Sequence, residues 1–137
     1  MKKYLFLFFI LTFSLFANIQ EAQILQYIIK NINQNSFQKI WSDDEKIKHS
    51  FQELGYDVVK NATNADLLII KKKLPSSKIK GKIFVLKYNL LNTIPKSFGA
   101  FFWKKGRPNI VFITPRVKKE HLRLSKELQE YEEDKVW

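Results

Sequence analysis

The chain contains no cysteine, so a disulfide framework, a thiolate metal site and a lipidated cysteine anchor are all closed to it. Histidine is nearly as scarce. His49 and His121 stand far apart, and neither has a second imidazole at ligand spacing, which argues against a zinc site. The four glycines, Gly55, Gly81, Gly99 and Gly106, are too dispersed to build a phosphate-cradling loop. Ser97 and Ser125 lack a local base that would activate a hydroxyl. The residue inventory therefore implies no enzyme, no cofactor and no metal. Arginine is rare as well: Arg107, Arg116 and Arg123 are the only ones among 24 cationic residues. A lysine excess that comes with many Asn, Ile and Phe reflects codon composition as well as function, so the +11 formal charge is a weak guide to partners.

What the chain does have begins at its start. Met1-Lys2-Lys3 is a positive opening, Tyr4–Phe16 carries no charge, and Ala17 supplies a small residue at its end. This is the pattern of a cleavable secretory signal peptide, too short for a comfortable membrane span. Residues 1–17 are read as the leader and 18–137 as one α/β domain, with a formal charge of +9 once Lys2 and Lys3 are lost. The expected location is periplasmic, which leaves no role for nucleic acid despite the basic pI.

Apolar periodicity organises the rest. Ile24, Leu25, Ile28, Ile29 and Ile32 form the stripe of an amphipathic helix over Ile19–Ile32. Phe37–Trp41 reads as a strand. Ser42 and Glu45 then have capping-box spacing for a helix whose inner face is Ile47, Phe51 and Leu54, stopped by Gly55. Tyr56–Val59 completes a βαβ unit. Leu67-Leu68-Ile69-Ile70 has no alternation, as expected of a central strand covered on both faces. After the basic loop Lys71–Gly81, Lys82–Tyr88 makes a second buried strand and Asn89–Pro95 a short helical link. Thr114-Pro115 opens a basic helix carrying Arg116, Lys118 and Lys119. Ser125 caps a last helix, Lys126–Glu133, with Leu128 and Tyr131 facing inward. The expected fold is a small three-layer α/β domain. Its mostly parallel sheet has about five to six short strands, a C-terminal hairpin and flanking helices.

Two stretches can carry function. The first is Ser97–Thr114, two apolar runs joined at Lys104-Lys105-Gly106-Arg107-Pro108, the pattern of a hairpin. Alternation sends Phe98, Ala100 and Phe102 to one face and Gly99, Phe101 and Trp103 to the other. Either both faces are core, or Gly99, Phe101 and Trp103, with Lys104, Lys105 and Arg107 beside them, form an aromatic contact surface. The second stretch is the carboxyl end of the first strand, where α/β sheets bind ligands. Ser42, Asp43 and Lys71 would line a pocket there. The plainer reading is that Asp43 and Asp44 complement a helix dipole.

From Ile40 onward several phrases resemble the YfiR/HmsC-like family of bacterial periplasmic proteins. They are Ile40-Trp41-Ser42-Asp43-Asp44, Ala65–Ile70, Phe84-Val85-Leu86, Phe98–Phe102, Gly106-Arg107, Ile110–Ile113 and the closing Leu124-Ser125 with Leu128. The resemblance covers roughly two thirds of the mature chain, and its motifs are structural. The opening Ile19–Ile32 helix is rich in Gln and Ile where the family's is aromatic. The resemblance implies a non-enzymatic regulator that binds the periplasmic part of a membrane-anchored signalling protein, such as a diguanylate cyclase, and holds its output down. Two other readings compete with a regulator of this kind or of another envelope protein. One is a small-solute or anion receptor at Ser42, Asp43 and Lys71. The other is peripheral contact of the lysines with an anionic membrane surface.

Overall fold

Leu67–Ile70 offers no polar side chain to water, and all four residues are buried. Such a strand persists only when covered on both faces. The computed structural model describes residues 21–33, 37–75 and 78–137. The expected leader over 1–17, Ile19 and Gln20 at the start of the expected Ile19–Ile32 helix, residues 34–36 and Ser76-Ser77 lie outside the described residues. The strands are β1 (Lys39–Ser42), β2 (Asp57–Val58), β3 (Leu67–Ile70), β4 (Lys82–Val85), β5 (Ser97–Lys104), β6 (Arg107–Ile113) and β7 (Glu132–Glu133). The helices are α1 (21–30), α2 (Glu45–Glu53), α3 (Leu90–Thr93), α4 (Thr114–Lys119) and α5 (Lys126–Gln129), with a 3₁₀ turn at Ala62–Asn64.

The expected α/β class and the mostly parallel sheet are observed. One seven-stranded sheet runs β2-β1-β3-β4-β5-β6-β7, parallel as far as β5, antiparallel between β5 and β6, and parallel again between β6 and β7. Leu25, Ile28 and Ile29 of α1, Ile47 and Phe51 of α2, and Leu128 of α5 cover one face. Ala62, Leu90, Leu91 and Ile94 cover the other. This distribution follows the lateral path of the chain. The step from β1 to β2 crosses over the first face, and the opposite steps from β2 through β5 use the second. After the hairpin reverses strand direction, the step from β6 to β7 uses the first again. A single hand of crossover demands that alternation.

Arg116 ties the two outer layers together. It leaves α4 on the first face, and its Nη1 donates to the carbonyl oxygens of Leu91 at 2.8 Å and Ser97 at 3.1 Å. Ser97, fully buried, in turn donates its hydroxyl to the Ile94 carbonyl at 2.6 Å. Close by, Lys82 and Glu120 form a partly buried ion pair at 3.0 Å. Arg116 therefore belongs to the scaffold, and the exposed part of the basic helix is Lys118 and Lys119.

Several local expectations are corrected. The cap of α2 is Asp44, whose carboxylate accepts the Ile47 N–H at 3.1 Å; Ser42 ends β1 and is fully buried. Leu54 is the C-cap and not part of the buried face, being 38% exposed. Gly55 follows at φ +89°, the left-handed stop expected of it. Thr114 is the first residue of α4, and its cap position is Ile113. The last helix ends at Gln129, and Tyr131 faces outward, because Glu132-Glu133 pairs with β6 and adds a seventh strand. Acids at a helix C-terminus oppose its dipole, whereas the edge of β6 offers backbone partners.

Face alternation in β5 also breaks. Ile83 pairs with Ser97 and Phe84 with Gly99, so Phe98 is an extra, bulged residue. It shares the α1 side with Phe101, while Ala100 and Phe102 lie on the other. The bulge gathers Phe84, Phe98 and Phe112, with ring centroids 5.5 to 6.3 Å apart. Gly99 sits beneath them. A Cβ there would lie 2.6 Å from the Val111 carbonyl oxygen and 2.9 Å from the Phe112 ring. Gly99→Ala should therefore destabilise the fold by about 1–3 kcal/mol, the range for overpacking. Thermal melts check this; an unchanged midpoint would show that β6 can yield.

Candidate functional site

Lys105 and Gly106 both have positive φ, 52° and 74°. Two such residues in succession make the tight turn whose twist suits a two-residue hairpin. The turn is thus shorter than the expected five-residue segment: Arg107 and Pro108 are strand residues opposite Lys104 and Trp103. The last pair between β4 and β5 is Val85 with Ala100, so Phe101–Lys104 run on past the sheet for about 13 Å at the usual rise per residue.

Of the six residues expected to form a contact surface, the structure brings four together at this overhang. Trp103 is 42% exposed, and Lys104, Lys105 and Arg107 are exposed around it. Gly99 and Phe101 are core residues. Rings cover the glycine, and Phe101, 1% exposed, packs with the α1 side chains. Phe101 instead supports Trp103 edge-to-face at 5.8 Å. Gly99 admits the backbone of β6, and no partner.

Other residues complete the surface. A groove of about 580 Å³ lies between α1, β6 and the start of β7, lined by Gln23, Ile24, Tyr27, Pro108, Asn109, Ile110 and Tyr131. Tyr27 is 49% and Tyr131 38% exposed. Because strand partners share a face, Pro108 lies beside Trp103 and Ile110 beside Phe101. The tryptophan therefore adjoins the groove. Charge is divided along it. Lys104, Lys105 and Arg107 stand at the turn, and Glu130 on one side and Glu132 and Glu133 on the other flank Tyr131 in sequence at the opposite end. The hydrogen-bonded Glu130 carboxylate beside Tyr131 pushes its hydroxyl above the usual phenol range, with partial burial and Tyr27 adding to the effect. Tyr27 was legible only as an aromatic interrupting the Gln/Lys side of α1. Tyr131 would face inward only on a helix continued to Glu133, whereas α5 ends at Gln129.

The alternative site is also assembled, in a different role. The strand order reverses around β1, which puts the carboxyl ends of β1 and β3 at a topological switch point. Asp43 spans it. Its two carboxylate oxygens accept the backbone N–H groups of Lys71 at 2.8 Å, Lys72 at 2.8 Å and Lys73 at 3.0 Å. The Ser42 hydroxyl accepts the Asp44 N–H at 3.2 Å. The acceptors that would hold a cation are thus engaged with backbone. Three acids, Glu21, Asp43 and Asp44, work against an anion. Burial raises the Glu21 carboxyl above its usual range; Lys71 opposes this and Asp44 adds to it. Among the described residues, no group of three or more His, Asp or Glu side chains comes together in metal-binding geometry. His49 pairs with Glu53 at 3.0 Å on the solvent side of α2, and His121 follows α4 at φ +56°.

Two outcomes follow for this end of the sheet. Asp43→Ala should destabilise the protein by about 2–3 kcal/mol, because three backbone donors lose a charged acceptor. Amide exchange at Lys71–Lys73 should accelerate in the same variant, and unchanged exchange would deny the clamp. Glu21→Gln should raise the melting temperature at neutral pH. A carboxyl whose folded pKa lies above its unfolded value weakens the fold once both states are ionised, and has no such effect when both are protonated. The gain should therefore disappear as pH falls below the ordinary carboxyl value of 4.5. A gain that persists in acid would assign it to something other than ionisation.

No protein-family model, no curated protein and no solved structure matches this chain. The likeness to YfiR/HmsC-like proteins rests on the residues quoted for it.

Proposed function

We propose that this protein is an exported, non-enzymatic module that binds a protein of the cell envelope through the hairpin overhang and the adjoining groove. The observation that carries the reading is the grouping of Trp103, Tyr27 and Tyr131, all more than a third exposed, around an apolar groove with cations at one end. Large rings and arginine are the residue types that anchor protein interfaces, and a few of them supply most of the binding energy. An isolated exposed ring needs no explanation, but several around one concave surface do. The resemblance to YfiR/HmsC-like proteins supports a regulator acting on the periplasmic part of a membrane-anchored signalling protein. The leader-like 1–17 segment supports export.

The receptor reading at Ser42, Asp43 and Lys71 has less behind it. Asp43 already holds three backbone donors, and the lysines contribute main-chain groups to it.

Trp103→Ala should leave the melting temperature within a few degrees while weakening capture of the envelope partner by about 2 kcal/mol or more. Arg107→Ala should act in the same direction but more weakly, as a rim charge does. Crosslinking in the native host, with the same variants side by side, measures both effects. Equal capture by wild type and Trp103→Ala would remove the hairpin from the interface. Mass measurement of the host-produced protein should show loss of the first 17 residues. An intact Met1 on a cytoplasmic product would remove the envelope from the proposal.

A further inference from the structure

The sheet edge beside the groove is only half covered. Phe112 donates its N–H to the Tyr131 carbonyl at 2.9 Å, and the β6–β7 register consists of Phe112 with Glu132 and Ile113 with Glu133. Backbone groups in a strand alternate in direction, so Ile110, two residues earlier, turns its N–H and C=O to the same outer side. Pro108 turns its C=O there and has no N–H to offer. The two-residue turn gives the same phase. Lys104 and Arg107 exchange bonds across it, which directs Pro108, Ile110 and Phe112 outward. Among the described residues no strand pairs with Arg107–Val111 on that side. The groove under α1 opens along this same stretch, and β7 continues its line beyond Tyr131.

We infer that the outer edge of β6 from Arg107 to Val111 takes an extended segment of a partner protein as an added strand. The strand places an apolar side chain between Ile24, Tyr27 and Ile110, and carboxylates beside Lys104, Lys105 and Arg107. The inference rests on this face being the partner-binding face. Open sheet edges are the surfaces that recruit extended peptides, with backbone bonds giving affinity and alternate pockets giving selectivity. Here Pro108 and Ile110 supply one donor and two acceptors, enough for a short segment. Charge chooses its chemistry. Three cations crowd the turn end, Glu132 and Glu133 lie past Tyr131 where β7 already fills the edge, and Glu130 stands beside Tyr131, away from the turn. A second copy of this chain is the less suitable occupant, since it would bring a body of the same net positive charge against that turn.

The test uses the full mature chain and a synthetic seven-residue peptide of alternating valine and threonine ending in two aspartates. Companion peptides end in two lysines, or are N-methylated at either the odd or the even peptide bonds. Amide hydrogen exchange at Ile110 is followed by NMR. The aspartate-ended peptide should slow Ile110 exchange by about tenfold or more, and the lysine-ended one should bind at least about tenfold more weakly. One N-methylated series should lose binding and the other retain it, because only alternate bonds of an added strand face β6.

Equal binding of both N-methylated series, equal binding of the two charge forms, or an unmoved Ile110 amide overturns strand addition. An Ile110 amide already protected without peptide, at concentrations where sedimentation finds dimers, gives the edge to a second copy and also overturns it. The two proposals fail separately. If Trp103→Ala abolishes capture of the envelope partner while that partner leaves Ile110 exchange unchanged, the interface stands and strand addition falls. If the peptide adds to the edge but capture does not depend on Trp103, strand addition stands and the interface reading falls.

Discussion

The constraint on which this structure depends is that β3 and β4 have no side fit for water. Leu67 to Ile70 and Ile83 to Val85 are buried without exception, so the chain must cover the sheet twice. The layers are unequal. One face receives α1, α2 and α5 over a phenylalanine-rich core, and the other receives short segments around Leu90, Leu91 and Ile94. The thinner layer is held by polar attachments that reach around the sheet. Arg116 bonds the Leu91 carbonyl from a helix on the opposite face, and the Trp137 N–H donates to the Tyr88 hydroxyl at 2.8 Å. A guanidinium that donates to two carbonyls connects two backbones at once, which an aliphatic side chain in its place would not do.

The hairpin departs from this economy. Its strands are longer than those beside them, so its outer half leaves the shelter of the sheet and presents rings and cations to solvent. The geometry has a local cause. The bulge at Phe98 turns that ring into the core and adds it to Phe84 and Phe112. With that cluster complete and Phe101 buried beneath α1, Trp103 is the first ring on this face left without cover. One anchored end and one projecting end give a stiff element whose tip can be changed without loosening its root. Stability should therefore follow Gly99, and the recognition proposed for this tip should follow Trp103 and Arg107.

At the switch point the same sheet is closed by backbone. Asp43 gathers three consecutive N–H groups of the lysine loop, a use of a carboxylate that resembles anion recognition turned inward. The basic run Lys71–Lys73 is shaped by its main chain, and its side chains remain available to solvent. Charge alone thus does not single out the contact surface proposed for this protein. The hairpin end is distinguished by rings beside its cations, which the lysine loop lacks.

Much of the architecture was determined by the sequence itself. The unbroken apolar runs at Leu67–Ile70 and Ile83–Leu86 required a doubly covered sheet, the α1 stripe marked its packing face, and Gly55 stopped α2, because these are properties of a few adjacent residues. Trp103, Lys104, Lys105 and Arg107 were legible as a group for the same reason: a hairpin keeps them together. The tertiary structure alone decided the rest. Neither the bulge at Phe98 nor the strand at Glu132-Glu133 follows from local pattern, since each depends on a neighbouring strand to pair with. The burial of Phe101 and Gly99, the convergence of Tyr27 and Tyr131, and the capture of the lysine-loop backbone by Asp43 join segments far apart in the chain. Alternation identifies which side chains share a face. Only the packed molecule determines which face water reaches.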